Sequence, residues 1–82
     1  MTRAEPITAV RIRTTEAALV IEFEDRDVQI PWARCSSKLA AAGAIERERA
    51  QLSPGGYGIH WPLIDEDLSI AGLVRSEAAG KR

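Results

Sequence analysis

GGYGIHWPLIDEDLSIAGLV, from Gly55 to Val74, is the stretch that decides how the chain folds. Tyr57, Ile59 and Trp61 alternate with Gly58 and His60, the two-residue period of a half-buried strand, and Pro62 closes that strand because it has no amide hydrogen for a ladder. Beyond Asp65-Glu66-Asp67, Ser69 is placed to cap a short helix in which Ile70, Leu73 and Val74 recur at helical spacing. Gly55 and Gly56, after Ser53-Pro54, mark the break that precedes the strand.

Upstream, three strands are expected. Val10 and Ile12 alternate with Arg11 and Arg13. After a turn at Thr14-Thr15-Glu16, Leu19, Ile21 and Phe23 alternate with Val20, Glu22 and Glu24. Glu24-Asp25-Arg26-Asp27 reads as a charged turn into Val28, Gln29 and Ile30, which Pro31 ends, although a two-residue primed turn would favour glycine over Arg26. The period then changes. Ser36 or Ser37 can cap a helix through Ala42, Gly43 interrupts it, and Ala44 to Gln51 is rich in helix formers, so this region is either two short helices or one kinked helix. The expected fold is α+β: a small antiparallel sheet, made of a three-stranded meander plus a later strand, with short helices on one face. It forms one domain over residues 6–75, with loose ends at 1–5 and 76–82.

The chain has 82 residues, enough for one core, and 45% of them are hydrophobic, as in a globular protein. Eleven Lys and Arg against twelve Asp and Glu leave a net charge of −1. That balance lacks the basic excess from which duplex binding draws its affinity, so direct nucleic-acid binding is not expected. No apolar run is long enough to span a bilayer, and the opening MTRAEPITAV lacks the apolar core of an export signal. Cys35 is the single cysteine. It suits a reducing cytoplasm and reads as an inert thiol despite Arg34 and Lys38 nearby.

Gly58, Ile59, His60, Trp61, Asp65, Glu66, Asp67, Leu68, Ser69 and Leu73 together resemble the signature of a bacterial family, domain-of-unknown-function family 2442. The resemblance spans roughly Ile7 to Val74 and implies a strand meander, a helical segment, a glycine-containing strand and a final helix. It implies no accepted activity. Some relatives resemble members of two-gene, toxin–antitoxin-like modules that sit beside a small partner protein.

His60 with Asp65, Glu66 and Asp67 is the one constellation with the chemistry of a catalytic or metal site. In an extended segment Asp65 and Asp67 can converge, whereas Glu66 points the other way. The plainer reading is structural: an aspartate caps the last helix and His60 bonds a carboxylate across the turn. Trp32 and Trp61 are candidates for either interface anchors or core. The Gly55-Gly56-x-Gly58 run follows a helix and opens a strand, the reverse of a nucleotide loop, and no lysine is near. Glu46 to Arg49 reads as a solvated helix face.

These observations lead to an expectation of a non-enzymatic interaction or regulatory module, without cofactor, that binds another small protein encoded nearby and possesses a capacity for self-association. Trp32, Tyr57, His60, Trp61, Asp65, Glu66 and Asp67 are its contact candidates. The alternative is a metal or small-ligand site, with hydrolytic chemistry in reach, built on His60, Asp65 and Asp67.

Overall fold

The computed structural model describes residues 7–80, with side chains through Glu77. The expected loose start at Met1–Glu5 lies outside the described residues, as do Lys81 and Arg82. The first sheet has the order β1-β2-β3, from Arg11–Thr14, Ala18–Glu22 and Asp27–Pro31, all antiparallel. Three short helices follow: α1 (Trp32–Cys35), α2 (Ser37–Ala41) and α3 (Ala44–Glu48). A second antiparallel sheet, β4-β5-β6, comes from Gln51–Leu52, Gly58–Trp61 and Glu66–Ser69, and α4 (Ile70–Gly80) closes the chain. The α+β class and the meander are as the sequence indicates. The later strand, β5, is the centre of a sheet of its own.

Both hairpins of the first sheet are tight. Thr15 Oγ1 accepts from the Ala17 and Ala18 amides at 3.2 and 3.0 Å, which holds the β1–β2 turn. Phe23 N donates to Arg26 O at 2.7 Å, which closes the β2–β3 connection over Glu24 and Asp25. Asp65 is the one non-glycine with positive φ among the described residues, so this turn works without the left-handed residue that a primed turn needs. Arg26 instead lays its guanidinium over Phe23, 5.1 Å from the ring centroid. At the start of β1, Val10 N donates to Glu22 O at 2.8 Å although Arg11 is the register partner of Glu22. Two residues therefore meet one, a bulge that turns Val10 outward, 61% exposed, instead of onto the core face with Ile12.

Leu19, Ile21 and Ile30 supply the core face of the first sheet. Val20 points the other way and is also buried, so β2 is covered on both sides. Across the outer face Arg11 and Arg13 hold Glu22, with Arg11 Nη2 3.0 Å from Oε1 and Arg13 Nε on Oε2. The Arg13 hydrogen bond, aided by Arg11, outweighs desolvation and holds the Glu22 carboxyl below its ordinary range. A depressed folded pKa gives stabilisation that is present above the unfolded value and lost as pH falls through the folded one. Glu22→Gln should therefore destabilise the protein at neutral pH, and the gap to wild type should close in acid. Urea unfolding of both proteins across that range measures it.

The region between the sheets resolves into three helices because the caps divide it. Ser36 Oγ accepts from Leu39 N at 3.1 Å and starts α2. Glu46 Oε1 accepts from Gly43 N at 2.8 Å and starts α3. The helix stops at Glu48, short of the expected Gln51, because Gln51 and Leu52 pair with His60 and Ile59 instead. The run from Glu46 to Arg49 is not simply a solvated face. Arg47 donates from Nε to Leu39 O at 3.0 Å and from Nη2 to Ala40 O at 3.1 Å, which satisfies carbonyls at the end of α2. The same guanidinium sits 5.4 Å from the Trp32 ring centroid.

Ser69 Oγ accepts from Gly72 N at 2.9 Å, the cap expected for α4, but neither Asp65 nor Asp67 takes that role. Ile70 and Leu73 enter the core as their spacing implies. The backbone stays helical to Gly80, past Ser76, from which the sequence predicts a loose tail. Arg34 Nη2 lies 3.1 Å from Glu77 Oε1, which ties that extension back to α1.

Candidate functional site

The glycine turn positions everything around β5. Gly55 and Gly56 both have positive φ, 86° and 76°, which glycine adopts without penalty. Gly56 O accepts from Ala9 N at 2.8 Å, and Tyr57 O accepts from Ile70 N at 2.8 Å. The turn thus joins the approach to the first sheet, the second sheet and the start of α4. On β5 the alternation divides the residues cleanly: Ile59 and Trp61 go inward, Gly58 and His60 outward.

The two tryptophans fall on the core side. Trp61 is fully buried and Trp32 nearly so, with ring centroids 6.4 Å apart and planes at 81°. Each indole N–H has a carbonyl: Trp32 Nε1 donates to Thr15 O at 2.9 Å, Trp61 Nε1 to Arg47 O at 3.2 Å. Both therefore pack the interior and expose no contact surface. Tyr57 behaves differently from the expected alternation. It lies before β5 and is 54% exposed, not on the face of Ile59 and Trp61.

His60 stands opposite Asp67 in the β5–β6 register, and its Nδ1 lies 2.7 Å from Asp67 Oδ1. This is the cross-turn histidine–carboxylate bond expected of a structural pair. Asp65 is elsewhere. It occupies the β5–β6 loop at φ 53°, a conformation that a short polar side chain tolerates, and its carbonyl accepts from Lys38 Nζ at 3.0 Å. Glu66 pairs with Trp61 and is half-buried. The convergence of Asp65 and Asp67 is thus not realised as a ligand set: among the described residues, no three His, Cys, Asp or Glu side chains are grouped to hold a metal ion.

A shallow groove of about 360 Å³ crosses this outer face. Tyr57 stands beside it, Gly58 opens its floor, and His60, Asp67, Ser53 and Ser69 surround it. Ser53 Oγ accepts from Gly58 N at 3.0 Å, so its position is fixed by backbone. Three parts of this face escape sequence reasoning. Ser53 carries no motif, and β4 is two residues long, too short for any period. Acidic Glu66-Asp67 reads as loop, and only the pairing with β5 makes it strand.

Cys35 does not line this groove. Its thiol is buried and points at Ile30 O, 3.8 Å away. Burial pushes its pKa up to about 12; Arg47 opposes the shift and Glu77 adds to it. From an ordinary 9.0, that lowers the thiolate fraction at neutral pH by about three orders of magnitude. Iodoacetamide labelling of the native chain should be slower than that of the denatured chain by about that factor, as read by intact mass over time.

No helix among the described residues is long and apolar enough to cross a membrane. No curated protein matches the chain. A solved structure, the crystal structure of a protein of unknown function from Rhodospirillum rubrum ATCC 11170, is similar at 28% identity over 88% of each chain, with a TM-score of 0.75. The family profile described as "Protein of unknown function (DUF2442)" matches residues 7–79, the whole of both sheets and nearly all of α4. On that match, with the meander, the GIHW strand and the capped last helix all in place, the chain belongs to the DUF2442 family.

Proposed function

We propose that this chain is a non-enzymatic protein-interaction module, an antitoxin-like or regulatory member of a bacterial two-gene pair, acting in the cytoplasm. It meets its partner through the outer face of the second sheet. The observation that carries this reading is the division of the aromatics: both tryptophans are spent on the core, while Tyr57 stands exposed beside the open groove. Tyrosine is among the residue types enriched at the few positions that dominate binding energy at interfaces. A single cysteine, buried and with no second one in the sequence to pair with, is compatible with a reducing compartment.

A photo-cross-linking residue in place of Tyr57, expressed in the native host, should yield an adduct with the product of a neighbouring gene. The same residue in place of Arg75, an exposed position on α4, should yield none. No adduct from Tyr57, or equal adducts from both sites, defeats the proposal. His60 and Asp67 line the groove side by side, which leaves a second reading, a metal or small-ligand site, although no three ligating side chains are grouped among the described residues. Calorimetric titration with zinc, manganese and magnesium separates the two: heat that disappears in His60→Ala supports the ligand site, and silence with all three metals retires the metal form of it.

A further inference from the structure

We infer that the groove beside Tyr57 seats an arginine side chain presented by the partner. This rests on the interaction reading above and gives the partner a chemistry. The Tyr57 ring lies against Gly55, where an added Cβ would stand 2.7 Å from Cε2 and 3.0 Å from Cδ2. The ring is therefore backed by a residue with no side chain, and its exposed surface turns toward solvent beside the groove. Its main chain is held by the Ile70 amide, so binding has only the ring left to order.

Charge selects the occupant. Among the residues that line the groove, Asp67 is the one carboxylate and none is Lys or Arg. Its side chain is 75% exposed, and the contact from His60 Nδ1 goes to Oδ1. Oδ2 has no hydrogen-bond partner among the described residues. A planar cation with several N–H donors answers both features, stacking on the phenol ring while donating to the carboxylate. An anion meets a single negative charge there, and a lysine ammonium, compact and strongly hydrated, stacks less well. The groove, at about 360 Å³ and open on one side, takes one long side chain and its stem, not a folded ligand.

The probe is acetyl-Gly-Arg-Gly-amide, titrated into the full ¹⁵N-labelled chain, with the citrulline and lysine peptides as neutral and ammonium controls. The arginine peptide should give saturable shifts at Gly58, His60 and Asp67, the lysine peptide weaker ones, and the citrulline peptide none. Tyr57→Ala and Asp67→Asn, whose spectra report that they remain folded, should each abolish the arginine shifts. Equal response to all three peptides, no saturable response to arginine, or an unaltered response in Asp67→Asn overturns the inference. A cross-linked partner whose attached segment has no arginine overturns it too, while leaving the interaction reading intact. No adduct from Tyr57 together with arginine-specific shifts removes the interaction reading and keeps the site.

Discussion

Gly56→Ala should destabilise this protein by about 2–5 kcal/mol, more than alanine at Gly55 or Gly43. Two costs coincide at that residue. Its φ of 76° is left-handed, which costs a residue with Cβ about 1–2 kcal/mol. The added Cβ would also stand 2.2 Å from Ala9 O and 2.9 Å from Ala9 N. Those are backbone atoms in a segment bound to Gly56 itself through the Ala9 amide, so they cannot swing aside as a side chain could. Forced overpacking of this kind adds about 1–3 kcal/mol. A domain of this size has roughly 4–12 kcal/mol in total, so the loss is a large share.

Neighbouring glycines provide the comparison. Gly55→Ala carries the same left-handed cost, but its Cβ meets the exposed Tyr57 ring, which can rotate away, so about 1–2 kcal/mol is expected. At Gly43 the nearest atom is Glu46 Oε1 at 3.8 Å, and alanine there should be nearly neutral. Urea unfolding of the three variants should therefore rank Gly56 well above Gly55, and Gly55 above Gly43. Equal losses at Gly56 and Gly55 would mean that the Ala9 contact gives way easily and that the turn does not fix the two sheets together.

This junction shows where sequence reading reaches and where it stops. The glycines announce a turn, because only turn chemistry explains two of them after Ser53-Pro54, but nothing local says that Ala9, far back in the chain, must fit against Gly56. The same holds along the second sheet. β5 is legible from its two-residue period, and the His60 bond to a carboxylate follows from a short hairpin. β6 is not legible, since Glu66 and Asp67 have low strand propensity and become strand only by pairing with His60 and Trp61. Likewise Val20 alternates with core residues and reads as exposed, yet is buried, and Arg47 sits in a charged run yet turns inward to α2 and Trp32. For the candidate site, the sequence names Tyr57, His60 and Asp67 but cannot sort aromatics by face. That sorting depends on where β5 begins: one residue earlier would have put Tyr57 in the strand and set it in register with Ile59 and Trp61.

Trp61→Ala should cost about 3–5 kcal/mol, the range for removing a buried tryptophan, and lower Tm by roughly 12 °C or more. The ring is the largest fully buried side chain among the described residues and packs against the Trp32 ring of α1, in the core shared by both sheets. Its removal opens a cavity and also leaves Arg47 O without the indole donor. Trp61→Phe separates the two effects. It keeps much of the packing and loses the hydrogen bond, so about 1–3 kcal/mol is expected from the orphaned carbonyl. The coupling can be measured directly, because Arg47 reaches Trp32 through its guanidinium and Trp61 through its carbonyl. Arg47→Ala leaves the carbonyl that Trp61 uses and removes the guanidinium over Trp32. In a double-mutant cycle it and Trp61→Phe loosen opposite sides of one ring pair, and should cost less together than the sum of the two alone. Strict additivity would mean that the two contacts do not couple through the ring pair. An unchanged Tm in Trp61→Ala would put the ring at a surface, and the interface would then have to be sought on the tryptophan side of β5 and not on the tyrosine side.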